Sequence, residues 1–264
     1  MPPASAVACR APPTSARDRR DYGISETRSD TADVPAVELS QLRFAYRAGR
    51  DVLAIEHLAI ARGETVFLHG PSGSGKTTLL GLLAGVLQAT SGSVKVLGTN
   101  FSTLSSGSRD AFRARHLGYV FQMFNLIPYL SVRENILLPI RLDAGRRARL
   151  GTTTLDDAVA DIASQLDIAE LLDAPITELS VGQQQRVAAA RALIGHPEVV
   201  IADEPTSALD TDRREQFLAL LFASCKKADA TLVFVSHDHT LMPLFSRTVS
   251  LAEINHASVQ RSRA

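Results

Sequence analysis

The sequence predicts an α/β fold built on a mostly parallel core sheet, with an N-terminal antiparallel β subdomain and an inserted α-helical subdomain. Two patterns predict this. Short apolar runs, Val66-Phe67-Leu68, Val199-Val200-Ile201-Ala202 and TLVFV at 231–235, alternate with helix-forming stretches, as expected of strands buried on both faces. Over about residues 101–185 that alternation gives way mainly to helical patterns.

Composition sets the bounds. With 264 residues and 45% hydrophobic content the chain can bury a substantial core. Lys plus Arg equal Asp plus Glu at 28 each, so no global basic field marks nucleic acid as a partner. Cys9 and Cys225 are too few for a disulfide framework and fit a reducing cytoplasm. No apolar run approaches the roughly 18 residues of a membrane span, so the chain is not expected to cross a membrane itself.

Residues 1–34, rich in Pro, Ala, Ser, Thr, Arg and Asp, read as a disordered extension, 35–257 as one folded domain and 258–264 as a tail. AVELSQLRFAY and VLAIEHLAI, parted by the turn-forming Ala48-Gly49-Arg50, and later SVKVLG, read as strands of one antiparallel sheet. In an extended strand Phe44 and Tyr46 share a face; one could stack on an aromatic ligand, but the residues alone favour the core.

Residues Thr65–Leu80 carry the strongest motif. An apolar run enters GPSGSGKT at 70–77, which fits G-x-x-x-x-G-K-[ST], and then opens into a helix with Leu79, Leu80, Leu82 and Leu83 on one face. Gly70, Gly73 and Gly75 allow backbone N–H groups to converge on an oxyanion. Lys76 suits the β- and γ-phosphates of a nucleotide, the Thr77 hydroxyl suits Mg²⁺, and the helix N-terminus favours the same anion. The expected fold is therefore that of a P-loop NTPase.

Residues 101–117 read as helical and basic, and Leu117–Phe121 as a short strand ending at Gln122. The loop Met123–Leu130 has exposed-looking apolar residues, and Ser131 with Glu134 forms a capping box that starts a helix near Val132. The stretch 141–153, with Arg141, Arg146, Arg147 and Arg149, reads as a solvated connection, contact with anionic lipid being the lesser reading. Thr154 caps an amphipathic helix in which Leu155, Val159, Ile162 and Leu166 recur at helical spacing. A helix through GQQQRVAAARALIG, one over about Asp212–Lys226 and a last strand at Thr248–Leu251 complete the alternation.

In such a sheet, ligands bind at the carboxyl ends of the strands. Asp203 stands where a carboxylate reaches the Mg²⁺ of a bound nucleotide, Glu204 could deprotonate an attacking water, and His237 could hydrogen-bond the γ-phosphate.

Six features in order, GPSGSGKT, the Gln122 of YVFQ, LSVGQQQR at 179–186, VVIADEP at 199–205, SALD at 207–210 and SHD at 236–238, make the chain resemble the ATP-binding cassette (ABC) ATPases over about residues 36–255. The resemblance implies an ATPase in which two cassettes face head to tail. ATP and Mg²⁺ would be held by Gly70, Pro71, Ser72, Gly73, Ser74, Gly75, Lys76, Thr77 and Thr78, with Gln122 joining Thr77 and Asp203 at the metal. Lys76, Gln122, Glu204 and His237 would form the catalytic set. Ser180, Gly182 and Gln183 would reach the γ-phosphate of the facing cassette in a homodimer, Asp210 would connect the two sites, and Tyr46 rather than Phe44 would stack on adenine. One position departs from the family pattern: Val181 stands at the usual first glycine of the signature, so either the backbone there accepts valine or the site closes less well. The longer motifs are most similar to the lipoprotein-releasing and macrolide-export group. That implies export or extraction through a separate membrane permease docked near Met123–Leu130, and a cytoplasmic, peripheral location on the inner face of the membrane. The competing reading is a soluble ABC ATPase of DNA repair or translation, which would carry coiled-coil insertions or fused cassettes.

Overall fold

The computed structural model describes residues 34–257 except Ala48 and Ala208; the expected extension over 1–34, save its last residue, the tail at 258–264 and Cys9 lie outside them. The chain begins with β1 (Val37–Phe44), β2 (Leu53–Ile60), β3 (Thr65–His69), α1 (Lys76–Leu83), β4 (Ser91–Val96) and β5 (Thr99–Asn100). It continues with α2 (Ser106–His116), β6 (Leu117–Val120), α3 (Val132–Leu142), α4 (Ala144–Ala148), α5 (Leu155–Gln165) and α6 (Val181–Leu193). The last elements are β7 (Val199–Asp203), α7 (Thr211–Lys227), β8 (Thr231–Val235), β9 (Arg247–Ser250) and α8 (Leu251–Ile254).

Strands β2-β1-β4-β5 form an antiparallel sheet, and β6-β7-β8-β3-β9 a parallel one. Alternation of side chains along the parallel strands decides the layering. Val66 and Leu68 of β3, Val199 and Ile201 of β7, and Val233 and Val235 of β8 join one core with α1 and the antiparallel sheet. Phe67, Val200, Ala202, Leu232 and Phe234 face a second core with α3, α5, α6 and α7. With both faces covered, these strands need to be apolar throughout, which is why they read as continuous runs. The two expected sheets are therefore present. The helical span expected over about 101–185 is interrupted by β6, which pairs with β7 in the parallel sheet.

The capping signals act as read. Ser131 accepts from the Glu134 N–H at 3.2 Å while the Glu134 carboxylate accepts from the Ser131 N–H at 2.9 Å, and α3 starts at Val132. Thr154 caps α5 singly, accepting from the Asp157 N–H at 3.1 Å.

The stretch 141–153 departs from its expectation. It contains α4, and Arg146 is 2% exposed. Its guanidinium donates to the carbonyls of Ala114 (3.4 Å) and Leu117 (2.8 Å) at the end of α2, and to those of Ala192 and Ile194 (2.8 Å) at the end of α6. One buried cation thus satisfies two helix C-termini, where the macrodipole is negative and carbonyls lack helical partners. Burial, reinforced by nearby Arg149, pulls its pKa down to about 10, so it stays charged at neutral pH. Arg141 and Arg147 remain exposed, as expected for a solvated segment.

Replacing Arg146 with Leu strands those carbonyls in an apolar setting and is expected to cost about 3 kcal/mol of unfolding free energy. Arg147→Ala, one residue along and exposed, is expected to change it by less than about 0.5 kcal/mol. Urea unfolding of the two variants checks the contrast, and equal effects would remove Arg146 from this role.

Candidate functional site

Register aligns the carboxyl ends of four neighbouring strands. Val120 of β6 lies beside Ala202, Asp203 of β7 beside Val235, and Leu68 of β3 beside the same Val235. Each strand therefore stops at about the same level. The residues that follow, Gln122 after β6, Asp203 and Glu204 at the end of β7, His237 after β8 and Gly70 after β3, share one edge of the sheet.

The glycine-rich loop turns there. Gly73 and Gly75 take positive φ, 76° and 103°, which a side chain resists. Gly70 does not; a Cβ on it would instead approach Ser74 Oγ to 2.9 Å. Helix α1 begins at Lys76 with no side-chain cap, which leaves its first-turn N–H groups for a ligand. Lys76 Nζ arcs back to donate to the Gly70 carbonyl (2.8 Å) and the Pro71 carbonyl (3.3 Å), so the ammonium hangs over the loop. Pro71, Ser72 and Thr77 are exposed, whereas Thr78 is buried.

Two carboxylates stand next in line. Burial, and then the neighbouring Glu204 charge, raises the Asp203 pKa, while Lys76 opposes the rise. A cation placed between these groups would relieve both effects. Glu204 has a φ of 45°, unusual for a side chain, and is held there by its N–H donating to the Val235 carbonyl at 2.9 Å. Its Oε2 lies 3.2 Å from Nδ1 of His237, which is exposed. On β6, burial and then the Asp203 charge push the Tyr119 phenol well above its ordinary pKa, so it stays neutral. Gln122 lies exposed just past the strand tip.

Phe44 and Tyr46 part company. Strand β1 ends at Phe44, which is buried, while Tyr46 is 64% exposed and meets the Phe44 ring edge-on at 4.9 Å. The core reading holds for Phe44 alone. Tyr46 Oη lies 3.1 Å from Thr78 Oγ1, so its exposed ring stands over the start of α1.

Ser180, Gly182 and Gln183 are elsewhere. With Leu209 and Arg213 they line a cavity of about 210 Å³ to which the 70–77 loop contributes no residue. Ser180 N-caps α6 through a capping box with Gln183: its Oγ accepts from the Gln183 N–H at 3.4 Å and its N–H donates to Gln183 Oε1 at 2.8 Å. The S-x-x-Q spacing signals this box, although only the helix behind it is evident from the apolar pattern. Val181 is the first residue of α6, is half exposed, and is not among the positive-φ residues, so the backbone accepts valine. Asp210 N-caps α7, accepting from the Arg213 N–H at 3.0 Å.

Several residues that position these groups carry no sequence signal of that role. Buried Gln185 of α6 donates to the Pro205 carbonyl at 2.6 Å, next to Glu204. Arg214 of α7 pairs with Asp238 and donates to the Leu209 carbonyl at 3.2 Å, tying the segment of Asp210 to that of His237. In the Met123–Leu130 loop, Met123 (80%) and Tyr129 (84%) are exposed as expected, but Phe124 is buried in the helical core. Arg191 of α6 donates to the carbonyls of Phe124 (2.6 Å) and Asn125 (2.7 Å), and buried Asn135 accepts from the Ile127 N–H at 2.8 Å and donates to its carbonyl at 3.1 Å. A polar Asn inside the apolar ENILLPI run is the one available hint.

Comparison with known proteins shows the family. The family model described as "ABC transporter" matches residues 54–207. An uncharacterized ABC transporter ATP-binding protein, YvcR of Bacillus subtilis, is 40% identical over 196 residues, 74% of each chain. The bacitracin export ATP-binding protein BceA of Halalkalibacterium halodurans is 37% identical over 77% of this chain and 79% of its own. The lipoprotein-releasing system ATP-binding protein LolD of Anaeromyxobacter dehalogenans is 38% identical over 83% and 91%. Among solved structures, the ATP-binding cassette MJ0796, as a dimer in a post-hydrolysis state with ADP and Pi, superposes with a TM-score of 0.72 at 32% identity, covering 81% of this chain and 93% of its own. The chain belongs to the ABC transporter family and is an ATP-hydrolysing cassette.

Proposed function

We propose that this cassette binds ATP with Mg²⁺ at the carboxyl edge of its parallel sheet and powers export or extraction through a separate membrane permease. The observation that carries the reading is the contact of Glu204 with His237 at the strand ends beside the Lys76 loop. Gly73, Gly75 and the first turn of α1 direct N–H groups at the phosphates, Lys76 exchanges its carbonyl partners for them, and Tyr46 stacks on the adenine. Thr77, Asp203 and Gln122 are the residues that would hold Mg²⁺, an assignment the raised Asp203 pKa supports because a buried carboxylate beside another calls for a cation. Mg²⁺ held there would supply neutralisation of phosphate charge. Glu204 takes a proton from water as the water oxygen attacks the γ-phosphorus; the bond to the bridging oxygen breaks and leaves ADP, while His237 donates to a γ-phosphate oxygen.

Ser180, Gly182 and Gln183 line a cavity to which the phosphate loop of their own chain contributes no residue, which supports a head-to-tail homodimer in which they close the facing site. Asp210, beside them through Leu209 and Arg213, is placed to relay closure between the two sites. Export or extraction is favoured by the chain's relatives BceA, a bacitracin export protein, and LolD, of a lipoprotein-releasing system. The DNA-repair or translation alternative has less support: the longest helix among the described residues, α7, has 17 residues, too short for a coiled-coil arm. Among those residues no helix is long and apolar enough to cross a membrane. Met123 and Tyr129, held out by the Arg191 and Asn135 braces, form the docking surface for the permease on the cytoplasmic face.

Replacing Glu204 with Gln is expected to lower the ATP turnover rate by roughly 10²-fold or more and to accumulate an ATP-bound dimer on size-exclusion chromatography. Undiminished turnover would refute the assignment of the base. Co-expressed with its permease, the Met123→Asp, Tyr129→Asp double variant is expected to leave the membrane fraction while keeping its nucleotide affinity; full retention in that fraction would move the docking surface elsewhere.

A further inference from the structure

The outer side of the phosphate loop is not packed solid. A cavity of about 190 Å³ lies there, lined by Val52, Pro71, Ser74, Leu251, Asn255 and Ala257 among others, so apolar contact alone does not fix the loop. Asn255, 6% exposed, reaches across it. Its Oδ1 accepts from the N–H groups of Ala54 (2.9 Å) and Ala257 (3.1 Å), and its Nδ2 donates to the carbonyls of Val52 (3.0 Å) and Ser74 (3.1 Å). Two N–H donors at one end and two carbonyls at the other leave no doubt which end is oxygen. The side chain is itself anchored. The Asn255 N–H donates to the Leu251 carbonyl at 3.0 Å, the His256 N–H donates to the Ala54 carbonyl at 2.8 Å, and Asn255 bridges to Ile55 of β2.

The consequence follows from the peptide plane. In a trans peptide the N–H of one residue points opposite to the preceding carbonyl. Holding the Ser74 carbonyl outward therefore turns the Gly75 N–H inward, toward the concave side of the loop, where Gly75 has the positive φ of 103°. We infer that Asn255, distant in sequence, is a positioning residue that presets the Ser74–Gly75 peptide for anion binding through its side-chain amide. The inference rests on the reading of residues 70–77 as the phosphate site. Neither the sequence motifs nor the family match, which ends at residue 207, includes this residue.

Asn255→Asp keeps an acceptor for Ala54 and Ala257 but exchanges the amide donors for a negatively charged oxygen, so Asn255→Leu, of similar shape and uncharged, is made beside it to separate lost donation from added charge. In the full chain with Mg²⁺, Asn255→Leu and Asn255→Asp are both expected to raise the Kd of a fluorescent ATP analogue and the KM for ATP by about tenfold, and to lower kcat proportionately less, whereas a rise confined to Asn255→Asp would mark charge repulsion and overturn the inference. His256→Ala, which leaves the network intact, is expected to change neither constant. A merely structural role would lower thermal stability and the active fraction without moving KM; that result, or an unchanged Kd, overturns the inference. Should Asn255 variants not fold, the unsubstituted protein still decides. The Asn255 side-chain amide NMR signals should shift on titration with Mg·ATP, and signals that stay put count against the role. Wild-type protein that binds no ATP, or Lys76→Ala protein that binds as well as wild type, would instead sink the phosphate-site reading and the inference with it.

Discussion

The ladder between β7 and β8 is the contact from which the site follows. Asp203 pairs with Val235, and the Glu204 N–H extends the ladder to the Val235 carbonyl one residue beyond the strand. A slip of one residue would turn Asp203 to the other face of the sheet and exchange every side chain between the two cores. Such a slip is costly because both faces of β7 are buried, so packing far from the nucleotide site sets the positions of the carboxylates.

That rigidity explains how the edge tolerates unfavourable local features. Glu204 has left-handed backbone, worth about 1 kcal/mol or more of strain, and Asp203 is a buried acid beside another acid. Neither would persist on a mobile loop. The Lys76 ammonium spans the Gly70 and Pro71 carbonyls, which fixes the curve of the loop. Preorganisation of this kind lowers the reorganisation needed when charge develops on the transferring phosphoryl group. The signature segment obeys a second constraint: α6 runs from the Ser180 cap to Arg191, which grips the carbonyls of Phe124 and Asn125. One helix thus touches both the surface proposed to meet a facing cassette and the loop proposed to dock a permease.

Much of this was legible in the residues. Continuous apolar strands, the glycine loop, the S-x-x-E box and polar residues at strand tips are local signals, and the structure places them as their patterns require. What stayed hidden depends on tertiary partners. Arg146 reads as one more solvated arginine because nothing adjacent in sequence shows that two helix C-termini converge on it. Asn255 lies beyond every motif, and its partners in β2 and the phosphate loop are remote along the chain. Phe44 and Tyr46 differ because β1 stops between them, a boundary that alternation alone does not mark. Val181, as the first residue of a helix, avoids the positive φ that valine resists, which its place in the motif does not reveal.

The central claim is that one triphosphate brings these strand ends into a single site, and a crystal structure of the chain with Mg²⁺ and a non-hydrolysable ATP analogue tests it most directly. The account predicts phosphate oxygens within hydrogen-bond distance of the Gly73 and Gly75 N–H groups and Lys76 Nζ, with the metal facing Thr77 and Asp203 and the γ-phosphate facing His237. Nucleotide bound away from the carboxyl edge, or phosphates that touch the loop while Asp203, Glu204 and His237 face elsewhere, would contradict it.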